Sequence, residues 1–232
     1  MKITIILPCY NEKLNLLHLI FQAGKLKKHF NFIFVDNGSS DGTHLVFKNI
    51  KFPSNCNYIR INKNKGYGYG IKAGLKKTNS IYVGWMHGDL QQNLSILKKI
   101  IPIIKNYNTS KKFLIKGLRT KRNFFDLIFT ISMAILMTIV FKKKHWDVAG
   151  QPTVINRKFL KKILVGPNDF SFDFFVYNLF VMKNYKILRF NAPFLKRKFG
   201  VSSWNKGLTS KIKHSYNTFK YIIYLKNSKT TP

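Results

Sequence analysis

Four short apolar runs, each ending in a polar loop and followed by a helical pattern, constrain this chain more than any other feature. Ile3 to Leu7, Asn31 to Val35, Tyr58 to Ile61 and Ser80 to Met86 are rich in β-branched and aromatic residues and too short for buried helices. Between them, Asn15 to His29, Thr43 to Lys51 and Lys65 to Lys77 carry helical spacing; in the first, Leu16, Leu19, Ile20 and Ala23 share one face. A helix over Leu94 to Tyr107 and a fifth strand over Lys112 to Lys116 continue the series. Strands alternating with helices predict an α/β fold: a mostly parallel sheet flanked by helices, with right-handed crossovers. Such sheets bind ligands beyond the carboxyl ends of their strands, so the loops after the first four strands are where a site is expected. After residue 118 the pattern changes to long helices and isolated short strands.

Those loops hold an unusual share of the acids. The chain has 41 Lys and Arg but only 8 Asp and Glu, a formal charge of +33. The acids are Glu12, Asp36, Asp41, Asp89, Asp126, Asp147, Asp169 and Asp173, and the first four fall in the candidate loops. An excess of this size implies anionic partners: nucleic acid, anionic lipid or phosphorylated substrates. The basic residues are spread along the chain, without a stripe of interleaved stacking aromatics. That makes a nucleic-acid-binding protein the runner-up, and no nucleic acid is expected as partner. Cys9 and Cys56 have no metal-ligand spacing and read as reduced thiols of a cytoplasmic protein.

The loop sequences are Pro8-Cys9-Tyr10-Asn11-Glu12, Asp36-Asn37-Gly38-Ser39-Ser40-Asp41-Gly42-Thr43 and His87-Gly88-Asp89-Leu90-Gln91. In this order and spacing they resemble the family 2 glycosyltransferases of the GT-A fold, nearest to the dolichol- or polyprenyl-phosphate mannose synthase branch. The resemblance covers residues 3 to 120 well and 145 to 205 more loosely. It implies a glycosyltransferase domain over 1–205, with a nucleotide-sugar-binding half (1–118) and an acceptor half (119–205), followed by a basic tail over 206–232.

The resemblance also implies roles. The donor would be a GDP- or UDP-sugar, with Asp36 at the nucleobase or ribose and Pro8, Tyr10 and Glu12 as the wall beside the nucleoside. Asp41 reads equally well as a helix cap. Asp89 matches the last carboxylate of the family's metal-binding DxD motif, so Mg²⁺ or Mn²⁺ is the expected cofactor, with Gln91 as a further oxygen ligand. The chain departs from the pattern at His87, where the first Asp of the motif belongs. An imidazole there either favours manganese or contacts the donor by a hydrogen bond, leaving Asp89 to carry the metal nearly alone. His87 and Gly88 are therefore also donor-site candidates. Gly66-Tyr67-Gly68-Tyr69-Gly70-Ile71-Lys72 follows the third strand; Gly66 lines the donor site, the other glycines pack the helix on the sheet, and Lys65 and Lys72 are candidate phosphate neighbours.

In the second half, Gly117-Leu118-Arg119 resembles the family's "GSR", and Asp147 to Pro152 its acceptor loop, which includes Gln151. Arg197-Lys198-Phe199-Gly200-Val201-Ser202-Ser203-Trp204 resembles the loop that closes over the diphosphate, with Ser203 where the family has Lys. Arg119, Gln151, Lys198 and Ser202 are the acceptor or phosphate candidates, and Arg197 a catalytic one. Inverting transfer to a hydroxyl needs a general base, for which Asp173 is the first candidate and Asp169 the second. A lipid-phosphate acceptor is already an anion and needs none. The His87 departure also admits a GT-A-fold protein that is catalytically altered.

Two segments point to a membrane. Phe124 to Phe141 is mostly apolar and basic on both sides; it reads as a helix in or against the interface, with a span or a buried core helix as the alternatives. Leu208, Ile212, Tyr216, Phe219, Ile222 and Ile223 form one helical stripe with Lys211, Lys213, Lys220 and Lys226 off it, a basic amphipathic helix. The expected setting is the inner face of the cell membrane, with peripheral attachment or a membrane-anchoring partner protein, and a lipid-linked acceptor: polyprenyl phosphate or a cell-envelope glycan.

Overall fold

Ile3, Ile5, Leu7 and Cys9 belong to one apolar cluster and Ile6 to another, and all five are buried. A strand covered on both faces must lie inside a sheet with helices above and below. The computed structural model, which describes residues 2–107, 112–122, 124–195, 197 and 208–227, shows that arrangement. Seven strands form one sheet: β1 (Ile3–Cys9), β2 (Phe30–Asn37), β3 (Cys56–Ile61), β4 (Tyr82–Trp85), β5 (Phe113–Thr120), β6 (Thr153–Asn156) and β7 (Lys186–Pro193). Their order is β3-β2-β1-β4-β6-β5-β7, and β6 alone runs against its neighbours β4 and β5. Trp85 lies opposite Thr153 in that reversed pairing. The chain entering β6 therefore emerges beside the carboxyl ends of β1, β2, β4, β5 and β7.

Helices α1 (Leu16–Gly24) and α4 (Ile100–Tyr107) join the cluster on one face, and α2 (Thr43–Asn49) adds Phe47. Helices α3 (Tyr67–Leu75), α5 (Phe124–Phe141), α6 (Leu160–Ile163), α7 (Ser171–Met182) and α8 (Leu208–Asn227) cover the other. The fold is the mostly parallel α/β architecture expected from the strand–helix alternation. The short strands expected to stand alone after residue 118 are β6 and β7, integral to the same sheet.

Two helix boundaries move for identifiable reasons. The helix expected to reach His29 ends at Gly24, after which turns (Leu26 N–H to Ala23 O, 3.0 Å; His29 N–H to Leu26 O, 3.1 Å) lead into β2. The helix expected from Leu94 begins as a 3₁₀ turn capped by Asn93, whose side chain accepts the Ser95 N–H at 2.8 Å. Regular α4 starts only at Ile100, because Pro102 has no N–H to continue a bond back to residue 98 and is tolerated only in a first turn.

The helices away from the sheet expose apolar surface. In α5, Ala134, Met137 and Phe141 are buried, while Phe124, Leu127, Ile128, Phe129, Ile135 and Ile139 are exposed. No helix among the described residues is long and apolar enough to cross a membrane. In α8 the buried face is Thr218, Ile222 and Leu225. Tyr216 and Phe219, which share the apolar stripe read from the sequence, are exposed, because α8 packs against α5 and α7 along a face that includes Ile222 of that stripe but not these two.

His145, just beyond α5, is buried between the rings of Phe141 and Tyr177. Burial lowers its pKa from the ordinary 6.5, against the opposing pull of the Lys143 carbonyl and Asn178. A lowered pKa means that the unfolded chain binds the proton more readily. This group's contribution is therefore intact above about pH 6.5 and lost as pH falls towards the folded value. We expect the fall in Tm between about pH 7.5 and about pH 5.5 to be smaller in His145→Gln than in the parent chain. Equal falls in the two proteins refute the assignment.

Candidate active site

Two loops at the carboxyl edge are fastened together. Asn11 donates its N–H to Ser39 Oγ (3.0 Å) and accepts the Ser40 N–H on Oδ1 (2.9 Å). Glu12 donates its N–H to Thr43 Oγ1 (3.1 Å), and Lys13 donates its own to Asp41 Oδ2 (3.0 Å). Asp41 also accepts the Thr43 N–H (2.9 Å), while the N-cap position of α2, expected for Asp41, is taken by Gly42. Burial works against its ionisation, but these bonds outweigh it and hold its pKa below the usual value. Gly88 fits under β1: a Cβ there would stand 3.0 Å from Cys9 Sγ and 3.2 Å from Pro8 O. That contact seats the loop carrying Asp89 against the end of β1. Pro8 lies within β1, one residue before its end at Cys9, and Tyr10 is exposed beyond it. Asn11, Leu90 and Asp147 all have left-handed backbones (φ 57°, 57° and 37°), one in each of three loops on this edge.

The centre of the site is a shared cation position. Arg197 Nη2 lies 2.7 Å from Glu12 Oε1 and 3.5 Å from Asp89 Oδ2. Residues from the loops after β1 and β4 and from the segment after β7 thus converge on one nitrogen. Glu12 also accepts from the Asn15 amide. Burial, partly opposed by Arg197, pushes the Glu12 pKa up to about 7. Among the described residues no group of three or more His, Cys, Asp and Glu side chains gathers to hold a metal. The two carboxylates do hold a positive charge between them, which is the donor chemistry that a hard divalent cation completes with substrate phosphate oxygens. The residues present fit such an ion.

Other candidates sit around this centre. His87 is tilted against the Tyr67 ring (5.3 Å between centroids), and burial lowers its pKa despite Asp89 and Asp173 nearby. Gln91 donates its amide N–H to Leu195 O (3.0 Å), tying the Asp89 loop to the segment that carries Arg197. Gly66, at φ 100°, faces Asn168 O, which a Cβ would meet at 2.4 Å; its carbonyl accepts the Asn37 amide at 2.9 Å. Lys72 is engaged within the protein: its ammonium donates to Gly166 O at 2.5 Å, and burial lowers its pKa. Asp36 is fully buried and accepts the Ser39 N–H at 2.9 Å, with Arg60 Nε 3.9 Å away.

Asp173 lies at the hub of a buried network. Oδ1 accepts from Trp85 Nε1 (3.0 Å) and Lys116 Nζ (3.4 Å), and Oδ2 accepts from Gln151 Nε2 (3.1 Å). Lys116 also donates to Thr153 Oγ1 (2.9 Å), and burial lowers its pKa against the opposing pull of Asp173. Gln151 reaches Tyr67 as well, linking the loop before β6 to the ring beside His87. Trp85, Lys116, Thr153 and Arg60 were not singled out from sequence. The available signal was Lys116 itself, a lysine with Ile115 before it and apolar Phe113 and Leu114 beyond in a strand buried at every one of those positions.

Arg119 grips Asp147: its Nε donates to Oδ1 (2.8 Å) and its backbone N–H to Oδ2 (2.8 Å). Burial raises the Asp147 pKa, but Arg119 more than reverses this and holds it low. Arg122 joins Arg119 on the Thr130 hydroxyl. Its pKa is lowered to about 10 by burial and by its like-charged neighbour. Lys198 and Ser202 lie outside the described residues.

Residues 4–164 match the family model described as Glycosyl transferase family 2. A dolichol-phosphate mannosyltransferase of Pyrococcus furiosus is 30% identical over 108 residues, covering 46% of this chain and 31% of the relative. The uncharacterized glycosyltransferase YfnE of Bacillus subtilis is 26% identical over 124 residues, 53% of this chain and 31% of the relative. The chain thus spans about a third of the length of these curated relatives. Among solved structures, the mannosyltransferase PcManGT of Pyrobaculum calidifontis, in complex with GDP-Man and Mn²⁺, superposes at TM-score 0.63 with 17% identity, over 96% of this chain and 64% of that one. Glucosyl-3-phosphoglycerate synthase of Mycobacterium tuberculosis, in complex with Mn²⁺, UDP-Glc and phosphoglyceric acid, superposes at TM-score 0.68 with 13% identity, over 97% and 79%. These likenesses place the fold in the GT-A class.

Proposed function

This chain belongs to glycosyl transferase family 2, and from that premise we propose that it moves a sugar, with inversion, from a nucleoside-diphosphate donor to a lipid-linked acceptor at a membrane surface. The observation that carries the reading is the convergence of Glu12, Asp89 and Arg197 at the carboxyl edge of the sheet. A leaving nucleoside diphosphate develops negative charge, and a water-poor site with a preset cation position is built to receive it. Asp89, with Glu12 beside it, would hold Mg²⁺ or Mn²⁺. A divalent ion bound there neutralises charge on the leaving group. Arg197, released from its carboxylates, is then free to contact diphosphate oxygens. Pro8, Tyr10, Asp36 and Gly66 frame the nucleoside, and His87 and Gly88 the sugar side.

For the acceptor, Arg119 and Gln151 stand on the same edge as Asp89. Both oxygens of Asp173 already accept hydrogen bonds, which favours a polyprenyl-phosphate acceptor, itself the nucleophile, over a glycan hydroxyl needing Asp173 as base. The exposed apolar face of α5, with Arg119, Lys121 and Arg122 before it and Lys142, Lys143 and Lys144 after it, supports peripheral attachment to an anionic leaflet, alone or with an anchoring partner. Basic groups near such a surface contribute about 1 kcal/mol each.

One experiment tests the whole reading: UDP- and GDP-sugars are offered, with Mn²⁺ or Mg²⁺, alongside anionic vesicles containing polyprenyl phosphate. We expect metal-dependent release of one nucleoside diphosphate, sugar in the lipid fraction and protein sedimenting with the vesicles. Sugar transfer to water alone removes the acceptor. No release from any donor leaves a catalytically altered protein.

A further inference from the structure

The two carboxylates that meet Arg197 are each fastened from behind. Glu12 Oε2 accepts from the Asn15 amide, and Asp89 Oδ1 accepts the Gln91 N–H at 3.2 Å. The remaining oxygens, Glu12 Oε1 and Asp89 Oδ2, converge on Arg197 Nη2 at 2.7 and 3.5 Å. Both acids are buried and the Arg197 side chain is 19% exposed, so water screens this contact little. The Gln91 amide also holds Leu195 O, two residues before Arg197, which anchors the segment that carries the guanidinium. Arginine ordinarily meets a carboxylate with two parallel N–H groups. Here one nitrogen serves both acids, and Arg197 Nε is buried with no partner. An arginine placed only to brace Glu12 and Asp89 would not leave a buried donor empty.

Resting on the metal-dependent reading above, we infer that Arg197 is an internal competitor of the divalent ion: it occupies the two free oxygens in the unliganded protein and yields them only in the presence of a nucleoside diphosphate. Arg197 Nη2 uses the lone pairs that a divalent ion requires. A guanidinium and a divalent cation also repel each other strongly in a site with little water. One pair of oxygens therefore serves one cation at a time. With the ion alone, Arg197 loses both acids and gains nothing. With a diphosphate present, Arg197 turns its fork, Nε included, to the new anionic oxygens. The empty site is thus guarded against free metal by a residue of the same chain, and the donor that needs the metal removes the guard.

The test is the binding of Mn²⁺ alone to the full chain at about pH 8, followed through the electron paramagnetic resonance of the free ion. Competition lowers the apparent affinity of the parent by the fraction of molecules in which Arg197 is released. In Arg197→Met, Mn²⁺ should bind at least about tenfold more tightly than in the parent, which corresponds to a contact formed in at least about nine molecules in ten. Adding Asp89→Asn should abolish that gain. If Arg197→Met does not fold, the parent alone decides. In ¹⁵N-arginine spectra, Mg²⁺ together with UDP or GDP should move the Arg197 Nε signal, whereas Mg²⁺ alone at the same concentration should leave it in place. Mn²⁺ binding no tighter in Arg197→Met than in the parent overturns the inference and leaves the metal assignment intact. So does a gain that survives Asp89→Asn, or an Arg197 signal that Mg²⁺ alone displaces or that Mg²⁺ with either diphosphate leaves unmoved. No Mn²⁺ binding by parent or variant, with or without UDP or GDP, removes the metal assignment and this inference together.

Discussion

Replacing Asp89 by alanine should lower sugar transfer by at least about 10²–10³-fold, the scale on which preorganised charge stabilisation acts in a closed site. The fold should survive. Asp89 lies in a loop at the sheet edge, where it accepts the Gln91 N–H (3.2 Å) and meets Arg197. Neither contact reaches the hydrophobic clusters. The measurement is transfer rate at saturating donor, alongside circular dichroism and Tm. Activity within a few-fold of the parent, in a folded variant, would sink the assignment of Asp89 to the leaving group. The effect should also fall on turnover more than on donor affinity, because the proposed function gives the base and ribose to other loops.

Breaking the Lys116–Asp173 pair should be the most damaging change to stability. Lys116 and Asp173 are 1% and 4% exposed, so either charge left alone has no water to replace its partner. Lys116→Met or Asp173→Asn alone should each destabilise by about 3–5 kcal/mol, and the double variant should recover most of that loss. Denaturant unfolding of the four proteins gives the coupling energy directly. Single-variant losses below about 1 kcal/mol would mean that the pair is screened and holds nothing. The double variant also settles what Asp173 does. If it only positions Gln151 and the loop before β6, transfer returns with stability; if it removes a proton from the acceptor, transfer stays lost in a well-folded protein.

The parts legible in sequence were those written locally. Strand β1 announces itself because both of its faces are apolar, and the three loops because turn-forming residues follow each apolar run. Asp89 and Arg197 could each be named from short motifs. That they meet over Glu12 could not, since 185 residues separate Arg197 from Glu12 and only the sheet order closes that distance. Lys116 was passed over because a lysine at the end of an apolar run ordinarily marks where a strand reaches water. Its partner lies on α7, which no local pattern connects to β5. Lys72 has a partner that was equally out of local view. Its position beside the glycine loop suggested a phosphate, and its ammonium donates to the carbonyl of Gly166, 94 residues along the chain. Strands β6 and β7 looked isolated because a strand in mixed pairing carries no signal of its neighbours. The packed face of α8 reflects packing geometry that Lys and Tyr, each able to lie along an apolar surface, leave undetermined.

The reversed direction of β6 separates two kinds of inheritance. Every other strand delivers its outgoing loop to the carboxyl edge, whereas β6 delivers its incoming one, so segment 147–152 reaches that edge without belonging to any of the loops that follow β1 to β4. Among the described residues it meets them where Gln151 reaches Tyr67 and where Gln92 Nε2 donates to Gln151 O (3.0 Å), while Asp173 and Arg119, from the second half, hold Gln151 and Asp147. On the proposed function, insertions or substitutions in that segment would redirect what receives the sugar while the loops after β1, β2 and β3 are left as they are. A chain built this way can diversify its products one half at a time.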